Sequence, residues 1–344
     1  MLLFVLATFI LILVVFLVFR YAYRKPIQFK ERIIAHTPSE KNVVVGDTAT
    51  EVIRREKVFK ITKYIIAYGF LAIMAVCMII PFYWMIATSL KSGAEIDLPN
   101  PTLFPGFGKR FAIEFANYPL AIERLNAWRL IYNTVVVGVF STIGTVITTI
   151  MAAFAFSRIK FKGRELIFTV FLATMMIPGE MMVITNYITV TKTTRDIFGV
   201  SGIDTYWAMI VPFLISVYYI YLLRQNFKQI PNELYYAAKV DGTSDFKYLC
   251  KIMVPIALPT IITITILKLM GSWNAYVWPM MVTRDANMRL ITTGLRSSFS
   301  DAEGRTAQGL QMAATTVVTL PLLFVFIFLR KYIMRGVSRS GIKG

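Results

Sequence analysis

The chain has little of what soluble enzymes use for chemistry. Among 344 residues it holds one histidine, His36, and two cysteines, Cys77 and Cys250. The cysteines stand far apart and one lies inside an apolar run, so they form neither a disulfide framework nor a metal-ligand spacing. The histidine sits in a polar segment remote from both thiols, so no metal site and no histidine-dependent catalysis is expected. No G-x-x-x-x-G-K-[ST] phosphate loop occurs, and ATP hydrolysis by that route is not expected of this chain. H-E-x-x-H and G-x-S-x-G are missing as well, which leaves no catalytic residue to nominate. Charge is also scarce: 16% of the residues are charged, against about 25% in soluble domains.

What remains is apolar. Hydrophobic residues make up 56% of the chain, and the mean hydropathy is +0.62. A membrane-crossing helix needs roughly 20 mostly apolar residues. Seven runs qualify, at residues 2–19, 64–87, 131–156, 166–190, 206–223, 254–281 and 313–332. The first, "LLFVLATFILILVVFLVF", has no basic segment before it and is followed by "RYAYRKP". That flank reads as an interfacial anchor, so a retained helix is expected rather than a cleaved signal.

A net charge of +18 raises nucleic acid as a partner, but its distribution answers otherwise. Segments 20–63 and 157–165 carry 11 and 4 Lys/Arg, and segments 224–251 and 330–344 carry 5 each. The alternate loops 88–130, 191–205 and 284–308 carry 5, 2 and 4, nearly balanced by acids. This is the positive-inside pattern. It places the N-terminus outside and the C-terminus inside, and no nucleic acid is needed. The expected organisation is an all-α polytopic membrane protein with three parts. These are an N-terminal transmembrane helix over 1–20, a cytoplasmic linker over 21–60, and a six-helix core over 61–344. Loop 88–130, with Pro99, Pro101, Pro105 and Pro119, reads as a compact external loop.

One polar stretch interrupts the apolar runs on the inner side: "RQNFKQIPNELYYAAKVDGTSDFKYLCKIMVPIALP", Arg224 to Pro259. Pro231 suits the first turn of a helix, and Asn232 and Glu233 put acceptors or negative charge at its positive end. Ala237 and Ala238 are small enough for another backbone to approach. Asp241-Gly242 ends the helix, because glycine takes the left-handed conformation cheaply. Thr243, Ser244 and Asp245 offer an N-cap for the next helix. The product near 231–246 is a short helix, a sharp turn and a second helix. It is either a solvated linker or a knob that fits a groove on a partner.

This segment resembles the cytoplasmic "EAA" motif of binding-protein-dependent ABC importer permeases, roughly E-A-A-x-x-D-G followed by I-x-x-P-x-x-x-P. Ala237, Ala238, Asp241, Gly242, Ile252, Pro255 and Pro259 stand at the matching places. Tyr236 occupies the glutamate position, so any charge pairing the family makes there is lost or moved to Glu233. The likeness covers most of 60–344 and is closest to the maltose-type (MalG-like) carbohydrate permeases. "TSLKS" from Thr88, "AAFAFSRIKFKGR" from Ala152, "MIPGE" from Met176, "WNAYVWP" from Trp273 and "GVSRSGIKG" from Gly336 fall in the family's order. The region before about residue 58 lies outside it. The resemblance implies a type I ABC importer fold, with one helix added before the six. It also implies that Glu233, Tyr236, Ala237, Ala238, Asp241 and Gly242 form the helix that docks on an ATPase. The implied partners are a second permease, two ATPase subunits holding ATP and Mg, and an extracytoplasmic binding protein that delivers a carbohydrate. No cofactor is implied on this chain itself, and the implied location is a bacterial cytoplasmic membrane.

Two ionisable residues, Glu180 and Lys268, fall inside expected spans, where charge is costly and often marks a pathway. Glu180 follows Pro178-Gly179 and has a structural alternative, satisfying backbone groups freed by that break. Lys268 is read as snorkelling, as pairing with Glu180, or as a cation that attracts an anionic sugar. Trp273, Asn274 and Tyr276, with Trp278, combine aromatic faces and an amide suited to sugar contact; an interfacial aromatic belt explains them equally. The paired methionines at 175–176, 181–182 and 280–281 read as packing or gating surface. The leading expectation is a permease subunit of an ABC importer for an oligosaccharide, anionic if Lys268 faces the pathway. The alternative is a secondary transporter or channel subunit, which accounts for the spans but not for the knob, and no pair of similar halves is visible.

Overall fold

The computed structural model describes residues 45–106, 112–193, 202–299 and 306–338, with 195, 196 and 199 besides. The expected span 2–19, the first part of segment 21–60 and the terminal Lys-Gly tail lie outside the described residues. The chain divides into two compact units, Met1–Ala75 and Val76–Gly344. Every regular element among the described residues is helical. Helix α1, Val45–Ser89, starts inside the segment read as linker and carries the apolar span Ile61–Ser89.

The second unit continues with α2 (Gly93–Ile96), α3 (Asn117–Leu125), α4 (Ala127–Ser157) and α5 (Arg164–Thr174). Next come α6 (Gly179–Ile188), a π-helical turn Thr189–Thr193, α7 (Tyr206–Ile210), a 3-10 turn Val211–Phe213 and α8 (Val217–Gln229). Then follow α9 (Asn232–Val240), α10 (Asp245–Tyr248), a π-helical turn Leu249–Met253 and α11 (Val254–Trp273). The remaining helices are α12 (Val277–Val282), α13 (Ile291–Phe299) and α14 (Thr306–Ser338).

Four helical stretches are long and apolar enough to cross a membrane: Ile61–Ser89, Ala127–Ser157, Asp245–Trp273 and Gln308–Phe328. A fifth, α7 through α8, is bent by 46° between Phe213 and Val217. Three expected spans are therefore corrected. The 166–190 run is two helices, because Pro178 has no N–H for the helix ladder and disfavours helical backbone at the residue before it. Pro178 itself is extended, with ψ 132°, and α6 starts after it. The 206–223 run is broken where Ser216 caps α8, accepting from the Tyr219 N–H at 3.5 Å. The 254–281 run ends at Trp273, where Asn274 Nδ2 turns back on the Met270 carbonyl at 3.0 Å. Side chains that bond to local backbone in this way compete with helix continuation. Beyond that break Pro279 sits in the first turn of α12, where its missing N–H costs nothing.

The interior of the second unit is built on α4. Gly138, Ser141, Thr142, Thr145, Thr149 and Ala153 recur at helical spacing, and all are buried. Small residues at this spacing let membrane helices approach closely. Accordingly Gly138 lies against Leu269 of α11, and the Ser141 and Ser272 hydroxyls meet at 3.1 Å. An apolar cluster at one end of α4 joins Ala153 and Phe154 to Leu223, Phe227, Ala238, Tyr248 and Met253. A cluster at the other end joins Leu125 and Leu130 to Ile291, Phe299 and Ala313. Residues 91–106 are tied by a buried polar knot: Lys91 donates to the Thr102 carbonyl (2.5 Å), and Glu95 accepts from the Thr102 hydroxyl (2.6 Å) and the Gly106 N–H (3.1 Å).

Candidate coupling element and pathway residues

The stretch around 231–246 folds into the helix–turn–helix its residues suggest. Pro231 stands one position earlier than expected, as the N-cap of α9 with ψ 140°. Glu233 lies in the first turn, where negative charge suits the positive end of the helix. The helix ends at Asp241, and Gly242 takes φ +71°. The turn closes through Gly242 N–H to the Lys239 carbonyl (3.1 Å) and Thr243 N–H to the Ala238 carbonyl (2.9 Å). Of the three candidate caps Ser244 serves, accepting from the Lys247 N–H at 3.4 Å.

A polar clamp closes the turn. Asp245 Oδ1 accepts from the Tyr235 hydroxyl and from Lys239 Nζ, each at 2.8 Å. The Asp245 carboxylate holds the Lys239 ammonium above its usual range. Partial burial, and then the bond to Asp245, push the Tyr235 phenol upward. Ala238 is buried against Phe227, Tyr248 and Met253, while Glu233, Tyr236, Ala237, Asp241 and Gly242 are exposed. Val240 and Phe246 are 88% and 65% exposed beside them. One side of α9 is thus packed into the cluster at the end of α4, and the other presents an apolar knob with an acidic edge. Tyr236, where the motif has glutamate, is half exposed, and the Lys160 ammonium lies 5.9 Å from its ring centre. An aromatic face with a cation above it replaces the carboxylate there.

The attachment of the knob to the membrane helices was not legible beforehand. Arg158, one residue past α4, donates to the carbonyls of Phe227 (2.8 Å) and Ile230 (2.5 Å) and to Asn232 Oδ1. Asn232 therefore serves Arg158 rather than its own helix. Arg224 of α8 reaches the other way, from Nε to the Phe156 carbonyl (3.0 Å) and from Nη2 to both carboxylate oxygens of Glu165 (2.8 and 2.7 Å). Its guanidinium lies 3.8 Å from the Phe168 ring centre. Both arginines are buried. The Arg224 bond holds the Glu165 carboxyl below the usual carboxylate range. One signal for this was present: an arginine directly after an apolar run, where an unpaired charge is costly, points to a partner.

Lys268, Trp273, Asn274 and Tyr276 lie at separate points of the fold. Lys268 Nζ donates to the Phe213 carbonyl at 3.0 Å, at the break between α7 and α8. Thr145 bonds the same carbonyl (3.0 Å) and Thr148 bonds that of Leu214 (2.7 Å), so the groups freed by the break are satisfied. Glu180 is the second residue of α6, and its side chain lies outside the description. Trp273 packs beside the Leu125–Ile291 cluster, Asn274 ends α11, and Tyr276 precedes α12 with the Arg296 guanidinium 5.9 Å from its ring. Trp278 belongs to the interior, donating to the Ala208 carbonyl at 3.1 Å.

Several helices long and apolar enough to cross a membrane, with an exposed helix–turn–helix packed at the ends of three of them, mark a multi-pass membrane protein. The chain belongs to the family described as binding-protein-dependent transport system inner membrane component, whose pattern matches residues 126–339. It is thus a permease component of an ABC system, and ATP hydrolysis belongs to separate subunits. It is similar to the sn-glycerol-3-phosphate transport system permease protein UgpE of Brucella abortus (strain 2308), 28% identical over 76% of this chain and 90% of that one. Two Bacillus subtilis (strain 168) permeases are each 27% identical over 80% of this chain. The arabinooligosaccharides permease AraQ is covered over 94% of its length, and the polygalacturonan/rhamnogalacturonan permease YtcP over 96%. Among solved structures, a bacterial ABC transporter chain involved in import of the acidic polysaccharide alginate shares the fold. The TM-score is 0.66, with 23% identity over 81% of this chain and 98% of that one.

Proposed function

We propose that the chain is one permease subunit of an ATP-driven importer that moves an oligosaccharide into the bacterial cytoplasm. The observation that carries this is α9, an exposed knob packed through Ala238 onto the ends of α4, α8 and α11. A groove on an ATPase subunit is the natural receptor for such an element, and a channel or secondary transporter has no use for it. The chain carries no phosphate loop, so its partners supply ATP and Mg. They are two ATPase subunits, a second permease that completes the pathway, and an extracytoplasmic binding protein that docks on loops 88–130 and 284–308.

The positive-inside distribution supports α9 and the C-terminus on the cytoplasmic side and the N-terminus outside. An anionic sugar is the favoured cargo. Three of the similar proteins carry the names of phosphorylated or acidic substrates, and Lys268 sets an ammonium among the membrane helices. Under the same proposal Trp273, Asn274, Tyr276 and Glu180 line the passage at separate points along its length rather than in one site. The test is to purify the intact complex and measure which sugar-loaded binding protein stimulates its ATPase. A chain that purifies without ATPase subunits, or a complex that no sugar-loaded binding protein stimulates, refutes the proposal.

A further inference from the structure

The junction between α8 and α9 is mechanically weak as backbone. Ile230 and Pro231 are both extended, with ψ 128° and 140°, and Pro231 has no N–H to bond. One backbone bond, from the Ile230 N–H to the Phe227 carbonyl (3.2 Å), steadies the approach to it. A force on α9 would be absorbed there by rotation unless side chains bridged the junction. Arg158 bridges it: Phe227 and Ile230 lie on one side of the junction and Asn232 on the other. Arg224 closes the opposite half, tying α8 back to the last turn of α4 and to the first turn of α5.

We propose that these two crossed arginines form a clasp that makes the ends of α4, α5 and α8 and the start of α9 one rigid body. A displacement of α9 is then passed into the membrane helices instead of being lost at Ile230–Pro231. The inference rests on the importer reading above and assigns to Arg158 and Arg224 a positioning role; neither touches substrate or nucleotide. Three features favour rigidity over mere adhesion. Both guanidiniums are buried, at 6% and 3% exposure, where water competes little for their bonds. Each binds at least two separate elements, so neither can swing without breaking a bond. The planar fork presents donors in fixed directions, which the single rotating ammonium of lysine does not.

The test uses the assembled complex in proteoliposomes with its sugar-loaded binding protein, reading sugar transported per ATP hydrolysed. The variants are Arg158→Lys, which keeps the charge, Asn232→Ala, which frees α9 alone, and Asn232→Asp, which restores an acceptor. Asn232 is exposed, so its replacement leaves the packed interior in place. Arg158→Lys and Asn232→Ala are expected to assemble and to keep stimulated ATP hydrolysis within about twofold. Sugar per ATP should fall at least about tenfold, the factor one lost charge-assisted bond carries. Asn232→Asp should recover most of that ratio. A coupled wild type with an unchanged ratio in Arg158→Lys and Asn232→Ala overturns the clasp alone. So does a parallel loss of ATPase and transport, which marks a structural role only. A wild type that binds no ATPase subunits overturns the importer reading, and the clasp falls with it.

Discussion

Gly242 offers a test in which backbone conformation and side-chain bulk are separable. Its φ of +71° lies in the left-handed region, yet a Cβ added there would meet nothing within 4 Å. Within this chain, then, Gly242→Ala meets no obstacle and carries only the conformational cost, about 1–2 kcal/mol for an L-residue. Three bonds hold the turn against it, from the N–H groups of Asp241, Gly242 and Thr243 to Ala237, Lys239 and Ala238 at 2.9–3.1 Å. Since about 1.4 kcal/mol is a factor of ten, the intact turn should lose roughly one order of magnitude against opened forms. Asparagine tolerates this region better than alanine does, and a β-branched residue tolerates it worst. The expected order of sugar uptake is wild type, Gly242→Asn, Gly242→Ala, Gly242→Val. Membrane levels should be equal, because the site is exposed and lies outside the spans. Uptake of labelled sugar and immunoblots of the membrane fraction, normalised to each other, check it. If Gly242→Asn is as damaging as Gly242→Val, size and not φ decides. If Gly242→Val transports normally, the turn has no part in coupling.

Three further outcomes are expected. Because Arg224 lowers the Glu165 carboxyl, the bond's contribution is complete above the ordinary value of 4.5 and is lost as pH falls through the lower folded value. Acid melting of the solubilised protein should show that loss in the wild type, shallowly since Glu165 is mostly exposed, and Glu165→Gln should remove the dependence. Lys268→Met leaves the Phe213 carbonyl bonded to Thr145, so the thermal midpoint should move by no more than about 1 kcal/mol allows. Uptake of an anionic oligosaccharide should fall, and unchanged uptake and preference would remove Lys268 from the pathway. Gly144→Ala would put a methyl 2.4 Å from Leu214 Cδ2, at the bend of the α7–α8 span. Overpacking of this kind costs about 1–3 kcal/mol; a lowered thermal midpoint, restored by adding Leu214→Ala, is the expected result.

Local chemistry was legible at the coupling element because short-range rules build it. Gly242 supplies the left-handed residue, Ser244 caps the next helix, and Pro231 opens α9 one position from where its ring suggested. The spans were legible as composition but not as continuous helices. Hydropathy counts apolar residues and is blind to the missing N–H of Pro178 and to the local bonding of Ser216 and Asn274, which break three of the runs. A helix end divides Trp273 from Tyr276 and Trp278, and Trp278 turns inward to the Ala208 carbonyl.

The sequence alone determined that the chain lives in a membrane and where a polar knob interrupts its apolar runs. Each of these depends on neighbours a few residues apart or on summed transfer energies, and needs no knowledge of packing. Tertiary structure alone decided what the knob is fastened to. Arg158 and Asn232 stand 74 residues apart, far beyond the reach of helical periodicity. Arg224 meets Glu165 across 59. Bonds at such separations exist only after α4 and α8 have packed. Folding brings the two helix ends together and buries the arginines where each must satisfy the carbonyls of the other's helix.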